Sequence, residues 1–281
     1  MILVADSGST KTSWILQGEG VSRHFHTIGL NPLFIDATGI ATVIQKSEMN
    51  SWAAEVKEVY FYGASCSSTA RNKVVQDGLS LIFTGAKKIE VDHDMKSASI
   101  ALCGNKPGVA CILGTGANSC LWDGQNIVES IEAPGFILGD EASGAYFGKK
   151  IIALYLYKRL PKEISSFIEA NYSSKKDDIY KAVYQEKFPN LYLATYAKIY
   201  SAFRTEKLIQ EILRDGFQEF VTYHLLPYDQ IEKREIHFVG SIAYHFKEEL
   251  SEVLLRNGLT PGDFLANPVE RLLQWHLRAN G

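Results

Sequence analysis

Apolar positions begin at once: Ile2, Leu3, Val4 and Ala5 form a short run that stops at Asp6 and enters the polar string Asp6-Ser7-Gly8-Ser9-Thr10. Apolar, β-compatible character resumes over residues 13–16. Strand, glycine-containing turn, strand predicts a β-hairpin, with Gly8 supplying a backbone conformation that other residues resist. Gly29-Leu30-Asn31-Pro32 reads as a loop, because Pro32 biases Asn31 away from helix. The spacing then predicts a helix over 40–47, a strand over 56–62 that ends at Gly63-Ala64-Ser65, and a helix over 71–83. A short strand over 89–91 leads to Asp92, and a helix over 97–103 is closed by Gly104.

A second series repeats the order. Residues 108–113 (GVACIL) read as a buried strand that ends in Gly114-Thr115-Gly116 and is followed by Ala117-Asn118-Ser119-Cys120-Leu121-Trp122. From 142 to 226, apolar and charged residues alternate at helical spacing, interrupted near Pro161, Pro189 and Pro227. A strand over 236–239 meets Gly240-Ser241. Helices are predicted over 246–255 and, after Pro268, over 269–277. Two hairpins roughly a hundred residues apart point to a duplicated domain plan rather than a short solenoid repeat. Without a low-complexity linker, ordered elements are expected to join the two halves.

Length supports that division: 281 residues exceed one ordinary core and suit two domains. Net charge is −3, so no global positive field attracts nucleic acid or anionic lipid, and neither is expected as a partner. Phosphate would have to be bound through local backbone geometry or a metal. The leading apolar run is too short for a secretory signal, and no stretch approaches the roughly 18 to 20 apolar residues of a membrane span. Cys66, Cys103, Cys111 and Cys120 form no C-x-x-C pair. That argues against a zinc site or disulfide framework and fits a reducing cytoplasm.

Four places carry candidate chemistry. The Asp6–Thr12 turn, lined by Gly8, Ser9, Thr10 and Lys11, can aim backbone N–H groups and hydroxyls at one anion, while Asp6 could hold Mg²⁺ through water. The alternative is a turn whose Ser and Thr bond their own backbone. No Walker A loop occurs in the chain. Gly114-Thr115-Gly116-Ala117-Asn118-Ser119 is a second cradle of the same design, and two facing turns could grip one polyphosphate. In Asp92-His93-Asp94-Met95, a carboxylate at a strand–helix junction could accept a hydroxyl proton, or either Asp could simply cap the next helix. Asp140 is readable as a first-turn acid or, beside Gly135, as a ligand of sugar hydroxyls. His24, His26 and His93 read as surface or packing residues, and the tyrosines from Tyr146 to Tyr200 as helix packing.

Taken in order, D-S-G-S-T-K-T, G-L-N-P, V-D-H-D, G-T-G-A-N-S, G-D-E-A-S-G and V-G-S-I resemble the BadF/BadG-type ATPase and N-acetylglucosamine kinase family of the actin-like, sugar-kinase superfamily. The similarity spans nearly the whole chain. It implies an α/β fold of two ribonuclease-H-like domains flanking a central nucleotide and substrate cleft. Residues 1–105, joined by a closing helix in 268–281, would form the first domain and 106–267 the second. It implies Mg-ATP bound through Asp6, Gly8, Ser9, Thr10, Lys11, Gly114, Thr115, Gly116, Gly240 and Ser241, with Asp6 tied to the metal. Asp94 matches the catalytic base. Asn31, Asp94, Ala117, Asn118, Gly135 and Asp140 match the positions that line an amino-sugar substrate.

The expected reaction is transfer of the ATP γ-phosphoryl group to a sugar hydroxyl, the 6-hydroxyl of N-acetylglucosamine foremost, with domain closure excluding water. A homodimer is compatible with the sequence. Three departures from the family pattern stand out: Pro134-Gly135-Phe136 replaces a G-W-G-like run, Arg204-Thr205-Glu206 replaces a Gly-Asp, and Arg271 stands where glycine is common. Two rivals remain open: an ATPase that activates a partner enzyme, and a nucleotide- or sugar-binding protein without catalysis. The activators of radical dehydratases hold an iron–sulfur cluster on cysteine-containing glycine-rich motifs, and such motifs are missing around Cys103, Cys111 and Cys120.

Overall fold

A computed structural model describes residues 1–279. The chain forms two compact units: Met1–Pro107 with Trp122–Val128 and the segment from Asn267 onward, and Gly108–Leu121 with Glu129–Ala266.

In the first unit, β1 (Ile2–Ser7), β2 (Lys11–Gly18), β3 (Val21–Ile28), β4 (Glu58–Gly63) and β5 (Lys88–His93) make one sheet in the order β3-β2-β1-β4-β5. β1 pairs antiparallel with β2 and parallel with β4, so it lies at the centre of the sheet, with helices against it, and Leu3, Val4 and Ala5 have no exposed surface. Burial of both faces explains its unbroken apolar run. Helix α1 (Ala37–Gln45) starts where the Asp36 carboxylate accepts from Gly39 N at 2.7 Å, and α2 (Thr69–Ile82) where Ser68 caps Arg71 N. Their apolar stripes cover one sheet face with Ile40, Ile44, Val75 and Leu79. Trp14 is fully buried 5.7 Å from the Phe61 ring, and its indole N–H donates to Thr27 Oγ1. Helix α3 (Asp94–Cys103) and the final helix (Val269–Ala279) also belong to this unit, and Arg271 donates to the Ala101 carbonyl at 3.2 Å. The expected closing segment runs to residue 281; its last two positions lie outside the described residues.

A second sheet, built mainly from the second unit, repeats the strand plan. β6 (Gly108–Leu113), β7 (Ala117–Trp122), β8 (Ile127–Ser130), β9 (Glu235–Val239) and β10 (Thr260–Leu265) run in the order β10-β9-β6-β7-β8. Read from the other edge, this is the same third-second-first-fourth-fifth arrangement, with β6–β9 and β9–β10 parallel. The duplicated ribonuclease-H-like α/β plan is thus present. Between β8 and β9 lie the short helix α4 (Gly135–Leu138), α5 (Gly144–Leu156) and further helices through Lys207–Phe220. Phe147, Tyr200, Phe217 and Phe220 pack there with almost no exposed surface; of the tyrosine-rich stretch, Tyr146, Tyr196 and Tyr200 are buried in helix packing, whereas Tyr157, Tyr180 and Tyr184 are exposed.

Several boundaries differ from the sequence reading. β3, β8 and β10 had no apolar run to announce them: β3 is an edge strand with one side in water, and β10 carries Pro261, Gly262 and a register shift, tolerated because it too is an edge. The helix expected from residue 97 begins at Asp94. Neither Asp92 nor Asp94 caps it; His93 does, its Nδ1 accepting from Lys96 N at 3.3 Å. Asp140 is not a first-turn acid either, because α5 begins later, at Gly144, behind an N-cap from Ser143.

Candidate active site

In the first unit, the turn between β1 and β2 is narrower than its sequence suggested and consists of Gly8, Ser9 and Thr10. Gly8 N donates to the Lys11 carbonyl at 3.0 Å. Two buried hydroxyls brace the turn: Ser7 Oγ lies 2.8 Å from Thr12 Oγ1, accepts from Leu30 N at 3.0 Å, and so ties the turn to the loop that bears Asn31. Gly29 lies directly beneath, where a Cβ would stand 2.5 Å from the Gly8 carbonyl oxygen. Gly8, Thr10 and Lys11 are exposed and Ser9 is half-buried, as suits a surface offered to a ligand.

Asn31 is buried and oriented by two bonds: its Nδ2 donates to Ser65 Oγ at 3.0 Å and its Oδ1 accepts from Leu33 N at 2.9 Å. That leaves one amide hydrogen and one acceptor lone pair. Asp6 is the penultimate residue of β1, and Ser97, one turn into α3, donates to its Oδ1 at 2.8 Å. Burial raises the Asp6 carboxyl to about 7, the Ser97 bond working against that and the Asp94 charge with it. Asp94 is raised to about 6, again by burial, against a bond from Met95 N. A helix N-terminus ordinarily favours a carboxylate; here desolvation wins. The Cys66 thiol, pushed up to about 12 by burial and then by the Asp94 charge, is no nucleophile. The structure therefore gathers Asp6, the Gly8–Lys11 turn, Asn31 and Asp94 at one end of one sheet.

The second unit assembles its own group. Gly114, Thr115 and Gly116 connect β6 to β7, and the first N–H groups of α5 clamp the turn: Gly144 N donates to the Gly114 carbonyl at 2.8 Å and Ala145 N to that of Thr115 at 3.1 Å. Gly240, at φ 122°, follows β9 and sits so close behind Leu113 that a Cβ would stand 2.3 Å from its carbonyl oxygen. Ser241 is exposed beside it. Asp140 Oδ1 accepts from Ala117 N at 3.2 Å, and its carboxylate lies over Gly116, leaving a Cβ there 3.1 Å from Oδ2. Burial raises Asp140 above the usual carboxylate range, offset by the Ala117 bond. Asn118 turns its Oδ1 onto Ser119 N, so its amide N–H groups face outward from that bond. Gly135, at φ 81°, starts α4, and Lys149 donates to the carbonyl of Phe136. Thus Gly114 through Asn118, Asp140 and Gly240 share the end of the second sheet, while Gly135 begins the short helix that precedes Asp140 along the chain.

Sequence reasoning missed the residues that hold these groups. Ser97 could have been found, since it lies three positions after Asp94 on one helix face. His224, whose Nε2 is 2.9 Å from Glu141 Oε2, and Tyr228, whose hydroxyl is 2.9 Å from Ser119 Oγ, had no local signal. Among the described residues no group of three or more His, Cys, Asp or Glu side chains could hold a metal, and no helix is long and apolar enough to cross a membrane.

No family model and no curated protein matches the chain. Solved structures do. The "Putative N-acetylglucosamine Kinase" of Porphyromonas gingivalis is 36% identical, covers 100% of both chains and superposes with a TM-score of 0.94. The "Putative N-acetylglucosamine Kinase" of Chromobacterium violaceum covers 98% of each chain at 14% identity and a TM-score of 0.72. The ethanolamine utilization protein EutJ of Carboxydothermus hydrogenoformans covers 96% of this chain and 86% of its own at 14% identity and 0.51. The last two likenesses establish the fold alone.

Proposed function

Because the chain belongs to the BadF/BadG-type, N-acetylglucosamine kinase-like family of actin-like ATPases, we propose that it is an ATP-dependent phosphotransferase whose acceptor is an alcohol group of an amino sugar, N-acetylglucosamine at its 6-hydroxyl foremost. The observation that carries this reading is Asp94. It is a half-buried carboxyl at the start of a helix, lifted to about 6 and set beside a second acid, Asp6. A base raised towards neutrality can take a proton from an alcohol as the new bond forms and still be ionised at working pH.

The other residues divide the remaining work. Phosphoryl transfer depends on positioning and charge stabilisation rather than covalent chemistry. The Gly8–Lys11 turn and the Gly114–Gly116 turn, with Gly240 and Ser241, are assigned to the nucleotide. Backbone N–H groups and hydroxyls bind phosphate there without the net positive charge that this chain lacks. Asn31, with one hydrogen and one lone pair to spare, is assigned to sugar hydroxyls in the first unit, and Asp140, with Ala117, Asn118 and Gly135, in the second. A magnesium ion fits the first unit: the groups acting on Asp6 are the Ser97 hydroxyl and the Asp94 charge, an oxygen-rich and negatively charged setting for a cation that keeps much of its water. When bound it would neutralise charge on the phosphates.

A coupled ADP-release screen over N-acetylglucosamine, glucosamine, N-acetylmuramic acid and N-acetylmannosamine tests the reading, with Asp94→Asn as control. Sugar-dependent release that disappears in the variant supports it. ATP turnover indifferent to sugar would favour an activating ATPase, and nucleotide binding without turnover a non-catalytic binding protein.

A further inference from the structure

Behind the second turn lies a buried device that the proposed chemistry does not use. After the helix Lys207–Phe220 the backbone widens into one π-helical turn, Val221–Leu225, in which Leu226 N reaches the Val221 carbonyl at 2.9 Å. The wider turn directs His224 inward, where its side chain is 2% exposed. Isolated π-turns of this kind often accompany functional sites. The imidazole stacks on Phe220, centroids 4.8 Å apart and planes 13° from parallel. Nε2 is 2.9 Å from Glu141 Oε2; a carboxylate only accepts, so the nitrogen donates. The other ring nitrogen, Nδ1, has no partner among the described residues. Stacking therefore supplies the packing, and a single hydrogen bond supplies the ring's polar attachment.

What that bond holds is unusual. Glu141 lies between Asp140 at φ 56° and Ala142 at φ 60°, two non-glycine residues in the left-handed region. Such a pair persists only where surrounding contacts over-determine it. Asp140 in turn lies over Gly116 and accepts from Ala117 N. The main chain of His224 makes the second attachment: its carbonyl accepts from Ser119 Oγ at 2.8 Å, and Tyr228 Oη joins Ser119 Oγ to Ile131 N, 2.9 and 3.0 Å away. Ser119 adjoins Asn118.

We propose that His224 is a positioning residue, holding Asp140 through Glu141 and Asn118 through Ser119, so that both present one acceptor-binding face. The identity of the acceptor rests on the kinase reading; the positioning does not.

His224→Phe in the full chain separates the two contributions, because it keeps an aromatic ring against Phe220 and removes only the donor. The KM for the amino sugar should rise about tenfold, as expected for loss of one charge-assisted hydrogen bond, with kcat changed much less and the KM for ATP unchanged. Amide exchange over residues 139–142 should quicken by a similar factor. His224→Gln, whose Nε2 can still donate to Glu141, should recover most of both. An acceptor KM and exchange rates equal to wild type in His224→Phe would overturn the proposal. If that variant does not fold, Glu141→Ala decides: it removes the same bond from the other side and should give the same two changes, and wild-type behaviour would overturn the proposal. If no sugar is turned over at all, the kinase reading fails while the exchange measurement still judges the positioning.

Discussion

Two turns drawn from the same plan are braced differently. In the first unit the turn after β1 has backbone bonds from Gly8 N to Lys11 and from Gly29 N to Thr10, and the buried Ser7 and Thr12 hydroxyls add side-chain bonds over a glycine floor at Gly29. In the second, the turn after β6 is held by backbone, with N–H groups of α5 clamping its carbonyls and Gly240 pressed against Leu113. The last two positions of β1 are Asp6 and Ser7, whereas β6 ends on Ile112 and Leu113. The first unit therefore places carboxylates and hydroxyls at the end of its sheet, and the second a cradle of glycine backbone with Asp140 laid across it. One strand order supports an acid-bearing end and a glycine-backbone cradle because the sheet fixes where the turns emerge, while two or three residues per turn decide their chemistry.

The largest effect should come from the acid. Asp94→Asn should lower sugar-dependent ADP release on the order of 100-fold or more, whereas Asp140→Asn in the second unit should chiefly raise the acceptor KM. Equal losses of kcat would break the division of labour. Asp94→Asn should also stabilise the protein. The folded Asp94 carboxyl titrates at about 6 against an ordinary 3.8, so its contribution to stability is full below about 4 and lost as pH rises through 6. The variant's melting temperature should therefore exceed wild type at pH 8, and that advantage should vanish at pH 4.

Next in size is the backbone brace. Gly240→Ala forces a Cβ to 2.3 Å from the Leu113 oxygen at a φ of 122°, and should destabilise the second unit by roughly 3 kcal/mol and weaken ATP binding. Calorimetry and nucleotide titration would show it; a wild-type melt would mean that the turn yields more easily than its packing indicates. Smaller again is the pH effect on turnover: with Asp94 acting as base, kcat/KM for the sugar should fall about fivefold from pH 6 to pH 5, and a flat profile would remove Asp94 from that role. Smallest is the side-chain brace. Ser7→Ala deletes the acceptor for Leu30 N and should cost about 1 to 2 kcal/mol, read by denaturant unfolding, with the second unit's turn unaffected.

Much of this was legible along the chain. The apolar runs of β1 and β6, the glycine-bearing turns after them and the helical spacing from 142 to 226 are local patterns, and each appears in the structure, although the first turn is narrower than expected and Gly8 does not adopt the positive φ that only glycine takes readily. The misses share a cause. β3 and β10 lie at sheet edges, where one side meets water and Pro261 costs no ladder bond, so neither strand needs an apolar signature. The cap of α3 went to His93 because its Nδ1 reaches Lys96 N, a choice between neighbours that composition does not rank.

The sequence by itself determined the elements and the repeated plan, because backbone preference and hydrophobic period are properties of neighbours within a few residues. The tertiary structure alone decided which side chains hold the candidate site. Ser97 meets Asp6 across 91 positions, His224 meets Glu141 across 83, and Tyr228 meets Ser119 across 109. A hydrogen bond over such separations depends on how sheets and helices pack, and no periodicity along the chain encodes it.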